Sequence, residues 1–190
     1  TSQAAPDAPM ALAVPDEPIL SMAEALASPP RQAAPQSGDI QIASAEWKRV
    51  KAVNTQVNRA IYRSTDQQTY GRDEVWALPL QTGVTYGDCE DYVLEKRRAL
   101  LQAGIHRKDL NIAVVTTWAG ERHAVLLVRT AEGEYVLDNL TSRILPWTKA
   151  GYDWNQRQVE GGTYDWVEVG QPRSRQSAPV RRDLLIAALQ

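Results

Sequence analysis

The chain has one cysteine, Cys89, in the run Gly87-Asp88-Cys89-Glu90-Asp91-Tyr92. A thiol at the first turn of a helix faces unpaired backbone N–H groups and the positive end of the helix dipole, which lower its pKa and make it a better nucleophile. A lone cysteine is otherwise most often a small buried hydrophobe, so its partners decide the matter. His123 stands in Arg122-His123-Ala124-Val125-Leu126, and Asp138 follows in Tyr135-Val136-Leu137-Asp138-Asn139. If these two segments form a β-hairpin, the start of one strand faces the end of the other, and His123 and Asp138 come side by side. Base and orienter then join a nucleophile as a Cys-His-Asp triad. Taken singly, a strand histidine is usually structural and an Asp-Asn pair usually makes a turn.

Asp88, Glu90 and Asp91 surround the same thiol. Like charges around it raise its pKa and oppose the helix-terminus effect. A hard cation held by oxygen ligands would neutralise them, which makes these three residues candidate metal ligands. Helix capping is the alternative role for Asp88 and Asp91. A zinc site from Cys89, His106, His123 and Asp138 is a poor reading because no two of these ligands lie at a short paired spacing. His106 reads as a surface residue.

These residues need elements to position them. Residues 45–63 place Trp47, Val50, Val53, Val57 and Ile61 at helical spacing, with Lys48, Arg49, Lys51, Asn54 and Arg59 on the other side, which predicts an amphipathic helix. Residues 70–87 carry glycines, a proline and aromatic anchors and are expected to form an ordered loop. Residues 88–103 predict a second helix with Asp88 as N-cap, Asp91 at N3 and Gly104 after its end. Its charged run Glu95, Lys96, Arg97 and Arg98 reads as a solvated face. Residues 110–116, 123–129 and 134–138 are β-branched runs, the last two joined by a hairpin-like separator. A further strand is expected at 163–169. Two helices followed by antiparallel strands make an α+β fold.

Composition bounds the rest. At 190 residues the chain can bury one sizeable core, and one cysteine excludes both a disulfide framework and a cysteine-based zinc cluster. A net charge of -2 argues against nucleic acid as a partner. No apolar run approaches the ~20 residues that span a bilayer. Residues 1–39 hold seven of the eleven prolines and no Trp or Tyr, and read as a mobile leader, with a short amphipathic piece at 19–26. The chain starts at Thr1 without a basic or apolar signal region, so any signal peptide is expected to have been removed. Residues 40–169 form the expected folded unit, and 170–190 an Arg-rich tail that docks as a helix or hangs free.

The motifs around Cys89, His123 and Asp138, with Trp47, Val57-Asn58-Arg59, Tyr70-Gly71 and Val75-Trp76-Ala77-Leu78-Pro79 upstream, resemble the bacterial transglutaminase-like cysteine proteinases of Lap-type biofilm-adhesin systems. The resemblance implies a papain/transglutaminase-like fold, with Cys89 as nucleophile, His123 as general base and Asp138 as orienter. It further implies a periplasmic, calcium-dependent endopeptidase that cuts a large surface adhesin near its N-terminal anchor, commonly at an Ala-Ala bond. An inner-membrane cyclic-di-GMP receptor that sequesters the protease is the implied partner. The Cys89 N–H is a natural oxyanion donor; for a second, Trp76 and Gln81 are options better read as loop anchors. Trp118 and Trp147 are options for bordering a substrate cleft. The same triad also serves transglutaminase or amidase acyl transfer, and a non-catalytic metal-binding module is the reading from a different class.

Overall fold

The computed structural model describes residues 40–72, 75–159 and 165–170. Its first helix, α1, spans Ala45–Ala60. Ser44 caps it by accepting a hydrogen bond from the Trp47 N–H at 3.2 Å, satisfying one of the donors a helix start leaves unpaired. Trp47, Val50, Asn54 and Val57, three or four residues apart, form its buried face. The helix stops earlier than the periodicity predicts. Ile61 turns extended so that β1, Tyr62–Arg63, can pair in parallel with β2, Tyr86–Gly87.

Between these strands the expected loop contains two short helices, α2 at Asp66–Tyr70 and α3 at Pro79–Thr82. The second long helix, α4, spans Cys89–Gln102, with Asp88 as N-cap accepting from the Glu90 N–H at 3.1 Å. It packs against α1 on one side and the sheet on another. On a third side Glu95 accepts a hydrogen bond from the Leu80 N–H at 2.9 Å. Enclosure on three sides overturns the expected solvated face, because Glu95, Lys96 and Arg97 are all buried.

The strands β3, Leu110–Thr116, β4, Arg122–Thr130, and β5, Gly133–Leu137, lie close to the expected bounds. With β6, Leu145–Pro146, β7, Asp153–Gln158, and β8, Trp166–Glu168, they form an antiparallel sheet in the order β6-β5-β4-β3-β7-β8. Periodicity does not predict β7, whose segment is Asp-Trp-Asn-Gln-Arg-Gln, because five of its six residues are polar or charged groups other than β-formers and only tertiary pairing with β3 makes it a strand. The N-terminal part of the strand expected at 163–169 lies outside the described residues, as do residues 1–39 with the expected amphipathic piece at 19–26, and residues 171–190 of the expected Arg-rich tail.

Side chains alternate across the central strands. Leu110, Ile112, Ala124, Leu126, Val128 and Leu137 face the helices and join Val50, Leu94 and Leu100 in the main core. Ala113, Val115, Val125, Leu127 and Val136 face the other way, covered by Tyr152 and Trp154. Both faces are therefore dry, which is why β3 and β4 read as nearly unbroken apolar runs. No helix among the described residues is long and apolar enough to cross a membrane. Leu126, with 0% exposure at the middle of β4, anchors this packing. Leu126→Ala is expected to cost about 2–5 kcal/mol, read as a lower urea midpoint with an unchanged slope.

Candidate active site

The hairpin β4–β5 ends its pairing at Leu126↔Leu137, so Asp138 is the first residue beyond the ladder and His123 lies three residues before the same point on β4. This diagonal brings His123 Nε2 to 2.8 Å from Asp138 Oδ1, with both residues buried. Asp138 Oδ1 also accepts from the Leu140 N–H at 3.0 Å, and Oδ2 accepts from the Tyr152 hydroxyl. Burial alone would raise the Asp138 carboxyl, but the hydrogen bonds from His123, Leu140 and Tyr152 outweigh it and hold it below its ordinary value. Asn58 on α1 donates to the Asp138 carbonyl at 2.7 Å, tying the residue to a third element. Tyr152 and Asn58 had no role in the sequence reading; Asn58 was visible only inside the Val57-Asn58-Arg59 motif.

Cys89 is the first residue of α4 and lines a cleft of about 370 Å³ together with His123, Gly87, Arg122, Asn139 and Leu140. The Ala124 N–H, on the residue that follows His123, acts on the sulfur in the direction that lowers its pKa. Trp118, 92% exposed in the β3–β4 turn, is not among the residues that line the cleft, although its sequence neighbour Thr117 is. Trp147 instead stacks edge-on against Trp154 at 5.4 Å in the second core, and neither Trp76 nor Gln81 lines the cleft. His106 lies away from it, its Nδ1 accepting from the Lys108 N–H at 3.1 Å.

The carboxylates divide in a way the sequence did not foretell. Asp88 and Asp91 come together with Asp66 of α2, with one oxygen of each within 4.8 Å of the others. Glu90 is not in that group; the Cys89 thiol donates to its Oε2 at 2.8 Å. Consecutive helical positions point in different directions, so residue 90 turns away from the face shared by 88 and 91. Asp66, twenty-two residues before Asp88, fills the third place and could be found only through the fold.

Desolvation, then the charge of Glu90, then that of Asp66, push Asp88 up to about 9. Asp91 rises to about 8, chiefly by desolvation and then by Asp66, against a lowering bond from the Ala77 N–H. Burial and then Glu90 drive the Cys89 thiol far up as well, against the Ala124 N–H. Asp91 Oδ2 has no hydrogen-bond partner among the described residues although it is buried. A Cβ on Gly87 would stand 2.5 Å from that oxygen, so only glycine permits this approach. Three converging, desolvated carboxyl groups with an orphaned oxygen fit a hard cation with oxygen ligands.

A cysteine at a helix start, packed on an antiparallel sheet that carries a bonded His and Asp, is the arrangement of the transglutaminase-like cysteine protease fold. The chain belongs to the bacterial transglutaminase-like cysteine proteinases, whose family pattern matches residues 25–174. Legionella pneumophila LapG is similar in structure, with a TM-score of 0.52 and 25% identity over 62% of this chain and 67% of that one. The calcium-bound form of Legionella pneumophila LapG gives 0.56 and 23% identity over 72% of this chain and 77% of that one. No curated protein sequence matches the chain.

The raised carboxyls set a pH dependence for the metal-free protein. Their cost is absent below the ordinary value of 3.8, grows as pH rises, and is complete above folded values of about 8 and about 9. In chelator, the melting temperature is expected to fall by several degrees between pH 5 and pH 9, and Asp88→Asn is expected to flatten that fall. A flat profile for the unsubstituted chain would refute the electrostatics.

Proposed function

We propose that the protein is a calcium-dependent cysteine endopeptidase of the periplasm, which cleaves a large surface adhesin near its N-terminus and so promotes release from a biofilm. The observation that carries the reading is the 2.8 Å bond between His123 and Asp138 in a site where Cys89 and His123 line one cleft. Membership of the cysteine proteinase family and likeness to LapG support it.

In this mechanism His123 takes the Cys89 proton, and Asp138 holds the imidazole in orientation while stabilising its charge. The thiolate attacks a peptide carbonyl. The Cys89 N–H, at a helix start with no intrahelical acceptor, donates to the oxyanion. His123 then protonates the leaving amine, and water resolves the thioester. For this the thiol must leave Glu90 and turn to His123.

Asp66, Asp88 and Asp91 are the residues that would hold calcium, and the calcium-bound LapG structure supports that choice of ion. Bound there, the ion supplies positive charge that offsets these carboxylates and lowers the thiol pKa. An inner-membrane cyclic-di-GMP receptor is the proposed partner that withholds the enzyme from its substrate. Amine in place of water as acceptor would make the same triad a transamidase.

An adhesin N-terminal fragment incubated with the protein is expected to be cut in calcium and left intact in chelator. Cys89→Ala is expected to lose roughly a thousandfold or more in rate. Cleavage by both forms, or by neither, would refute the endopeptidase reading. Iodoacetamide alkylation of Cys89 against pH should move to lower pH with calcium; identical profiles in calcium and in chelator would refute the role of the ion.

A further inference from the structure

The cleft that holds Cys89 and His123 carries two guanidinium side chains in its lining, Arg63 and Arg122, and the mechanism uses neither. Arg63 ends β1, and its register partner on β2 is Gly87, two residues before the thiol. Both members of that pair line the cleft, so β1 delivers Arg63 to the side on which Cys89 stands. Arg122 opens β4 immediately before His123. Side chains alternate across a strand, so Arg122 shares the face of Ala124 and Leu126, which is turned to α4, while His123 lies on the other face against Tyr152. The two arginines therefore reach one cleft from elements distant in sequence.

Both arginines are exposed, and neither has an ion-pair partner among the described residues. Two carboxylates share the lining. Asp88 caps α4 and belongs with Asp66 and Asp91 to the acidic group, and Glu121 is exposed in the turn before β4. Outside these four and the catalytic pair, the lining side chains are uncharged. With Asp88 committed to the acidic group, two guanidinium charges face one carboxylate, that of Glu121. A guanidinium keeps its charge at any working pH and presents a planar fork of donors with no acceptor, a match for a carboxylate.

We propose that Arg63 and Arg122 are specificity-determining residues, which select a substrate segment carrying Asp or Glu side chains close to the bond that is cut. The proposal rests on the reading of the cleft as an endopeptidase site, because a chain lying between Cys89 and His123 must pass both forks. An acidic side chain there exchanges its water for charge-assisted hydrogen bonds. A neutral one leaves the guanidinium groups solvated and gains nothing from them. A lysine meets like charge and is selected against.

The test uses the full chain in calcium and the adhesin N-terminal fragment, with Asp, Asn or Lys placed in turn at each residue close to the cut bond on either side. At one or more of these positions, kcat/KM is expected to be roughly tenfold higher for Asp than for Lys, with Asn between them, and the ratio is expected to shrink as salt is raised. Arg63→Glu and Arg122→Glu are each expected to bring the ratio to about one or below. The ratio compares two substrates on one enzyme preparation, so a smaller folded fraction cancels from it. A preference that survives either substitution overturns the assignment of that arginine. A variant that cuts neither the Asp nor the Lys fragment, and whose milder form Arg63→Gln or Arg122→Gln cuts neither, gives the arginine a structural role and overturns its assignment too. Cleavage by the unsubstituted chain with no preference between Asp and Lys overturns the proposal and leaves the endopeptidase reading standing. No cleavage of any fragment overturns both.

Discussion

Asp66, Asp88, Glu90 and Asp91 bring four carboxyl groups to the surroundings of a single thiol, at a helix start where folding has removed much of the water that would screen them. Like charges at such distances in a desolvated place are tolerated only if some take up protons or a cation joins them. The rest of the site depends on how that conflict resolves. With protons as the answer, Asp88 and Asp91 sit far above the ordinary carboxyl range and the thiol is driven up with them. With a cation as the answer, the same residues become ligands and the helix terminus can act on the sulfur. The glycine at position 87 belongs to this arrangement, since any side chain there would displace Asp91.

On the other side of the cleft the problem is orientation. An imidazole on a strand can rotate, and Asp138 stops it through a 2.8 Å bond. Asp138 is in turn held by Leu140 of its own turn, by Tyr152 ahead of β7 and by Asn58 from α1. Elements distant in sequence therefore converge on one carboxylate. A sheet buried on both faces makes that convergence rigid, because β4 has packed side chains above and below it and no room to slide. The two halves of the site come together in one cleft, which Cys89 and His123 both line.

Much of this was legible from the chain. The N-cap at Asp88 and the helix after it follow from local capping chemistry, which needs only neighbouring residues. The β3, β4 and β5 segments follow from β-branched runs and a hairpin separator, and the hairpin alone predicts that His123 meets Asp138. Where the reading failed, the deciding partner lay far away in sequence. Glu95, Lys96 and Arg97 look like a solvated face until α1, the sheet and the turn at Leu80 enclose them. The polar β7 becomes a strand only beside β3.

The sequence by itself determined the local features: one thiol at a helix start, the hairpin carrying His and Asp, and an excess of acid beside the thiol. These depend on periodicity, capping and turn chemistry, all interactions over a few residues. Tertiary structure alone decided that Asp66 replaces Glu90 in the acidic group, that Tyr152 and Asn58 hold Asp138, and that Glu95, Lys96 and Arg97 are buried. The physical reason is the same in each case. Burial and electrostatic coupling depend on distance in space, and only the packed chain sets which distant residues share one dry interior.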